Sequence, residues 1–366
     1  MIVTSCFLAL IQEGVAKQAT PGTLHNMQGI PLNRRQFLKV STGALASLAL
    51  SQQACSFYLL PIDKNCCNAT TEIPGFNELD DLQLKKIRGE GNPKRVFYTG
   101  EETDPPIIIL HELNGLSREC IEFGSRVANQ GYRVYLPLLF GEPFDDSWVP
   151  WASYKVWTES NLRMYGDTDE NPAKTWISEL CSQVNGGQKV GLIGLCLTGI
   201  LPLTVLDLDH DVGVRAVVLS EPAVPIPFRW ERSETKAQLG ISQGELDKAK
   251  EFIEQHNQVD KKEADTLQIL TLRFSSDRIC PPERIRRLRK EFGKNLCEIC
   301  IQSPNPIWGI AEDAHAVLTG EYRAFPEIHP TRKAFAIVMR YLDSQLKPVK
   351  SGDPKWTCPA TKTITL

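Results

Sequence analysis

No stretch of this 366-residue chain is apolar for long enough to cross a bilayer. The nearest candidate, residues 40–50 (VSTGALASLAL), falls well short of the roughly 20 residues that a spanning helix needs. No stable membrane span is therefore expected. Net charge is almost absent: 41 Lys and Arg against 44 Asp and Glu leave −3. A chain so balanced has no global electrostatic case for binding nucleic acid or an anionic membrane surface. The basic run 283–290 (ERIRRLRK) reads as the solvated face of a helix. Internal repeats and low-complexity tracts are missing, which removes repeat architectures. Histidine is scarce, at six residues, and that shortens the search for a general base. Apolar material is ample: 42% of the chain is hydrophobic and 23% charged, enough for a sizeable core in one large or two small domains.

Cysteine is plentiful, with eleven residues, yet the chain is too long to depend on disulfides for folding. Their spacing gives no repeating framework. Cys297 and Cys300 form a C-x-x-C inside the apolar run 296–301, which reads as a buried strand. Redox pairs of this kind favour a helix start, and a zinc site needs further ligands nearby. The pair is therefore expected to be two core thiols. Cys66 and Cys67 precede the folded part, and their pairing stays open.

Residues 33–39 read NRRQFLK. The paired Arg34 and Arg35, followed by Phe37 and Leu38, resemble a twin-arginine export signal. A charged segment, then the short apolar stretch 40–50, then a polar one fits a signal peptide. The resemblance implies that the twin-arginine machinery exports the folded protein to a periplasmic or extracellular location. Met27 is a more natural start than Met1. Cys55 stands where a lipidated cysteine would, although Gln52, Gln53 and Ala54 make a poor lipoprotein signal.

Beyond residue 95, apolar runs alternate with longer amphipathic segments. The expected strands are 96–99, 107–112, 133–139, 190–195, 216–220, 268–274 and 297–302, and several are apolar throughout (IIIL, VGLIGL, AVVL). Such runs suit strands buried on both faces of a parallel sheet. Helices are expected over 117–130, 172–184, 197–206, 282–292 and 331–346. The alternation predicts an α/β protein with an open, mostly parallel sheet and helices on both faces. Two segments interrupt it. Residues 143–167 hold Trp148, Trp151, Tyr154, Trp157 and Tyr165; residues 222–262 begin Pro-rich and continue into a helix, with Ser242 as N-cap and Glu245 three places on. Both follow the carboxyl ends of strands, where ligands bind in open α/β sheets, and are read as cap-like insertions. The aromatic residues would serve equally as a surface layer of core.

The most informative stretch is 189–199, KVGLIGLCLTG. An apolar strand ends in Gly194-Leu195-Cys196-Leu197-Thr198-Gly199, and a helix-like segment follows. This is the order of a nucleophile elbow. The nucleophile takes strained backbone angles there, so the residues two away, Gly194 and Thr198, must be small. A helix beginning behind Cys196 favours the thiolate. A structural cysteine in a strand-to-helix turn is the alternative reading.

This Gly-x-Cys-x-small-Gly elbow resembles the dienelactone hydrolase family, which has the α/β-hydrolase fold. The family usually carries two glycines after the elbow, and Thr198 departs from that. The resemblance implies three further features. First, IIILHEL followed by Asn114-Gly115 is similar to the family's strand ending in Glu-aliphatic-x-Gly. Glu112 then matches the glutamate that interacts with the resting thiol, and the backbone N–H groups of Leu113 and Leu197 match the oxyanion donors. A capping or ion-paired carboxylate is the other reading of Glu112. Second, Asp277, in the loop after 268–274, matches the acid that orients the histidine; a helix N-cap near Pro281 is its other reading. Third, His315, between 297–302 and the last helix, completes the order nucleophile, acid, histidine. His329 is the rival histidine.

Cys196, Asp277 and His315 are thus expected to form a catalytic triad. The resemblance implies hydrolysis of a small-molecule ester or lactone through a thioester, with no metal or organic cofactor. Thr319 stands where an arginine for a substrate carboxylate would be sought. A non-catalytic exported binding protein on the same fold is the alternative. The expected division is a targeting segment 1–56, an irregular lead-in 57–95, the hydrolase-like domain 96–346 and a tail 347–366.

Overall fold

A computed structural model describes residues 72–80, 95–139, 141–144, 172–227, 230–259, 266–348 and 356–359. The expected targeting segment, Cys66 and Cys67, and nearly all of the aromatic insertion 143–167 lie outside the described residues. The strands are β1 (Asn77–Glu78), β2 (Val96–Thr99), β3 (Pro106–Leu110), β4 (Arg133–Pro137), β5 (Val190–Leu195), β6 (Val214–Ser220), β7 (Ile269–Phe274) and β8 (Leu296–Ile301). They form one sheet in the order β1-β2-β4-β3-β5-β6-β7-β8. β2 runs antiparallel to β1 and β4, and the pairings from β4 through β3 to β8 are parallel.

The central strands are apolar throughout because helices cover both faces. The helices are α1 (Arg118–Ala128), α2 (Pro172–Val184), α3 (Ser233–Lys236), α4 (Gln243–Val259), α5 (Pro282–Phe292) and α6 (Pro330–Leu346). Ile107 and Ile109 of β3 pack with Phe123 and Val127 of α1 and Val338 and Leu342 of α6. Ile108 and Leu110, on the other face, pack with Ile177 and Leu180 of α2, Phe252 of α4 and Leu288 of α5. Alternate residues of one strand thus enter two separate cores. Helix α4, within the second insertion, belongs to this flanking layer. Its start carries a reciprocal cap: the Ser242 N–H donates to Glu245 Oε2 at 2.9 Å, and the Glu245 N–H donates to Ser242 Oγ at 3.1 Å.

Three local expectations are corrected. The helix over 197–206 is instead two short 3-10 segments, Cys196–Thr198 and Leu201–Val205. Pro202 is the cause, since its ring has no N–H for the bond back to residue 198 and crowds that carbonyl. The C-x-x-C is not two free core thiols, because Cys297 is disulfide-bonded to Cys358. Three residues apart on a strand, Cys297 and Cys300 face opposite ways, so only Cys297 can meet the returning tail. Trp356 seats that tail, donating to Gln268 Oε1 at 2.9 Å and packing edge-on against Tyr341. The basic run is not wholly solvated either. Arg284 is fully buried and donates to the carbonyls of Pro222, Pro225, Gln238 and Ile279, tethering the start of the second insertion.

Candidate active site

Cys196 follows β5, which lies between β3 and β6 in the sheet. Its φ is 49°, a left-handed conformation that costs about 1–3 kcal/mol and must be enforced by its surroundings. The enforcing contacts are close. A Cβ at Gly194 would lie 2.4 Å from the Thr198 carbonyl oxygen and 2.8 Å from the Pro202 ring. A Cβ at Gly199 would lie 2.6 Å from the Pro222 Cα. The crowded positions are therefore 194 and 199, and Thr198 fits without conflict.

Thr198 is fully buried and acts as a clasp. Its Oγ1 accepts the Leu195 N–H at 3.1 Å. Its single proton has a choice of carbonyls on Leu110 at 2.9 Å, His111 at 3.1 Å and Leu195 at 3.1 Å. The hydroxyl thus ties the elbow to the end of β3, just before Leu113. His111 steadies the same segment: its Nε2 accepts the Leu139 N–H at 3.0 Å, so Nδ1 carries the proton and faces the Glu112 carbonyl at 2.8 Å. Leu113 and Cys196 pack against the same core as Leu197.

Glu112 is half-buried, and its carboxylate accepts a hydrogen bond from the Thr319 hydroxyl. Burial pushes its carboxyl up, against the pull of Thr319 and His315. Asp277, in the loop after β7, is buried and uses both oxygens. Oδ1 accepts the N–H groups of Ile279 at 2.8 Å and Cys280 at 3.0 Å. Oδ2 meets His315 Nδ1 at 2.7 Å. Asp277 does not cap α5, whose N-cap is Pro281.

His315 follows β8. Its Nε2 is buried and makes no hydrogen bond among the described residues. Burial disfavours a charged imidazole, but Asp277 and Cys196 outweigh it and hold its pKa well above the ordinary histidine value. Burial pushes the Cys196 thiol up; His315 pulls it down, and Glu112 and Glu221 add to the rise. The rival His329 is employed elsewhere: it caps α6 through Thr331, bonds the Trp308 carbonyl at 3.1 Å and packs edge-on against Trp308.

The structure thus brings Cys196, Asp277, His315 and Glu112 together at the carboxyl ends of β5, β7, β8 and β3. It also brings Glu221, which the sequence reading passed over. Glu221 directly follows β6, as Glu112 closely follows β3, and the same strand-end signal was available for it. Among the described residues, no group of three or more His, Cys, Asp or Glu is placed to hold a metal ion, and no helix is long and apolar enough to cross a membrane.

A mostly parallel sheet of eight strands, with a strained residue after β5 and an acid–histidine pair drawn from the loops after β7 and β8, defines an α/β-hydrolase. Residues 95–270, just under half of the chain, match the model of the Dienelactone hydrolase family. The match and the fold support a hydrolase of esters or lactones. The matched segment holds Glu112, Cys196 and Glu221 and stops short of Asp277 and His315. No curated protein matches the chain in sequence. Among solved structures, it is similar to a dienelactone hydrolase from Anabaena variabilis, at 10% identity and a TM-score of 0.46 over 75% of this chain and 100% of that one. It is also similar to Est1E from Butyrivibrio proteoclasticus, solved with ferulic acid, at 14% identity and a TM-score of 0.43 over 71% of this chain and 98% of that one.

Proposed function

We propose that the chain hydrolyses a small-molecule ester or lactone with Cys196 as nucleophile, His315 as general base and acid, and Asp277 as the group that orients the imidazole. The observation that carries this is the 2.7 Å contact between His315 Nδ1 and Asp277 Oδ2, on an imidazole whose other nitrogen is buried and electrostatically coupled to Cys196. Asp277 fixes the tautomer in which Nε2 is free to accept a proton, and stabilises the imidazolium that results.

His315 Nε2 takes the thiol proton as the sulfur attacks the carbonyl carbon. The N–H groups of Leu113 and Leu197 receive the oxyanion. The C–O bond breaks as the alkoxide takes the proton from His315, which leaves a thioester. Water, deprotonated by His315, then attacks the thioester, releases the acid and returns the proton to sulfur. Glu112 opposes ionisation of the resting thiol, so the nucleophile forms when substrate is present.

The test compares hydrolysis of p-nitrophenyl acetate and a panel of small lactones by the full chain and its Cys196→Ala variant. Loss of about a thousandfold or more, with the fold intact, is expected. Equal rates in the two proteins would overturn the assignment.

The chain is further proposed to act outside the cytoplasm. The paired Arg34 and Arg35 support this, as does the Cys297–Cys358 disulfide, since such bonds persist in oxidising compartments. Replacing both arginines by lysine should leave the protein in the cytoplasmic fraction; unchanged fractionation would overturn the proposal.

A further inference from the structure

The end of β6 carries a carboxyl that the proposed reaction does not use. Glu221 follows Ser220, the last residue of β6, and is fully buried. Its φ is 36°, in the left-handed region that residues with side chains rarely adopt, and its N–H is held by the Leu272 carbonyl at 2.8 Å. Such a backbone is retained where the side chain must point in a particular direction. Oε2 accepts the Ser220 hydroxyl at 2.6 Å and the Val317 N–H at 3.4 Å, two residues beyond His315. Oε1 is equally buried and has no partner among the described residues.

A carboxyl used only as a strap would have both oxygens bonded, since buried polar atoms are rarely left alone. The groups that face Glu221 come from the neighbouring strand ends: His315 after β8, Asp277 after β7, Glu112 after β3 and Cys196 after β5. Three carboxyls and a thiol thus share the site with one imidazole, and Glu221 keeps a buried oxygen without a partner among the described residues.

We propose that Glu221 is a positioning residue of this site, clamping the His315 loop to the end of β6 through the Val317 N–H and governing the pH at which Cys196 gives up its proton. The inference rests on the triad proposed above. Burial pushes the Glu221 carboxyl up to about 8, so it is largely protonated at neutral pH. As pH rises through that value it ionises and adds a negative charge to the site. An added negative charge disfavours loss of a further proton from the Cys196–His315 pair. In the native protein, Cys196 therefore ionises later than it would beside a neutral residue.

The test is iodoacetamide labelling of the full chain between pH 6 and pH 10, read on the Cys196 peptide by mass spectrometry, in native protein and in Glu221→Gln. Glutamine keeps the shape and the acceptor for Val317 while removing the charge. The labelling midpoint should fall by about one pH unit, roughly a tenfold faster reaction at a fixed pH below it. The thermal midpoint at pH 4, where Glu221 is neutral both folded and unfolded, should stay close to native. A folded Glu221→Gln protein with an unmoved labelling midpoint overturns the inference and leaves the triad standing. If Cys196 labels no faster than the half-buried Cys300 in native protein at any pH, the triad fails and this inference fails with it. Should Glu221→Gln not fold, Ser220→Ala serves instead. It removes a donor to Oε2, so Glu221 ionises later and the labelling midpoint again moves down; an unmoved midpoint there likewise overturns the inference.

Discussion

Replacing Thr198 by valine tests the account of the elbow most directly. The two side chains have nearly the same shape, so no cavity is made and only the hydroxyl is lost. That hydroxyl accepts one hydrogen bond, from Leu195, and donates one, shared among the carbonyls of Leu110, His111 and Leu195. Each such bond is worth about 1 kcal/mol net, and up to about 3 kcal/mol where the abandoned partner stays dry. Thr198 is fully buried, so the upper part of that range applies. The expected loss is about 2–4 kcal/mol, a fall in Tm of roughly 5–10 °C for a domain of this size. Urea unfolding of Thr198→Val beside Thr198→Ser measures it. The serine variant retains the hydroxyl and should lose about 1 kcal/mol, from the missing methyl alone. Thr198→Gly, which restores the glycine usual in the family, should be the least stable of the three. A valine variant within about 0.5 kcal/mol of native would show that the clasp contributes nothing, and the tie between the elbow and β3 would have to be abandoned.

Asp277→Asn should lower kcat by about a thousandfold or more while leaving KM within a few-fold, because the asparagine favours the wrong imidazole tautomer; a kcat within tenfold of native refutes the orienting role. Gly194→Ala places a methyl carbon 2.4 Å from a backbone oxygen, so it should fail to fold or lose its hydrolytic activity, and a stable, active variant refutes the crowded elbow. Reduction of Cys297–Cys358, or Cys297→Ser, opens a closure spanning 61 residues and should cost about 4 kcal/mol by chain entropy; chemical unfolding with and without reductant checks this. Glu221 retains its proton up to about pH 8 when folded but releases it near the ordinary carboxyl value of 4.5 when unfolded. Its contribution to stability is therefore complete below about pH 4.5 and is lost as pH rises to about 8, on the order of 5 kcal/mol in all. Glu221→Gln should gain stability relative to native between pH 5 and pH 8, and parallel stability curves would refute the raised carboxyl.

Much of the sheet was legible because its central strands are apolar on both faces, a pattern that leaves few alternatives once turn residues bound each run. The bounds of α2 and α5 were legible for a different reason: Pro172 and Pro282 can begin a helix but not continue one. What failed was local in one case and distant in another. Pro202 broke the helix expected behind Cys196, so the thiol has no full helix dipole beside it and depends on His315 instead. The partner of Cys297 lay in the tail, and no periodicity connects the two. In the candidate site, the elbow pattern pointed to Cys196, and the resemblance to the dienelactone hydrolases pointed to Glu112, Asp277 and His315 at or after strand ends. Glu221 was missed although it obeys the same rule, because attention followed the order nucleophile, acid, histidine, which has no place for a second acid. Thr198 was read only as a departure from glycine; its hydroxyl network depends on two carbonyls of a strand more than eighty residues away in sequence.

The His315–Asp277 contact spans 38 residues and unites the loops that follow the last two strands of the sheet, while Cys196 lies near its middle. It can form only once β7 and β8 have both joined the sheet, because its two loops follow those strands. A nascent chain that has laid down β3, β5 and β6 already possesses its strained cysteine but nothing to draw off the proton. Recovery of hydrolytic activity after denaturation should therefore trail the recovery of helical signal, and the enzyme would serve as its own clock for the docking of β7 and β8.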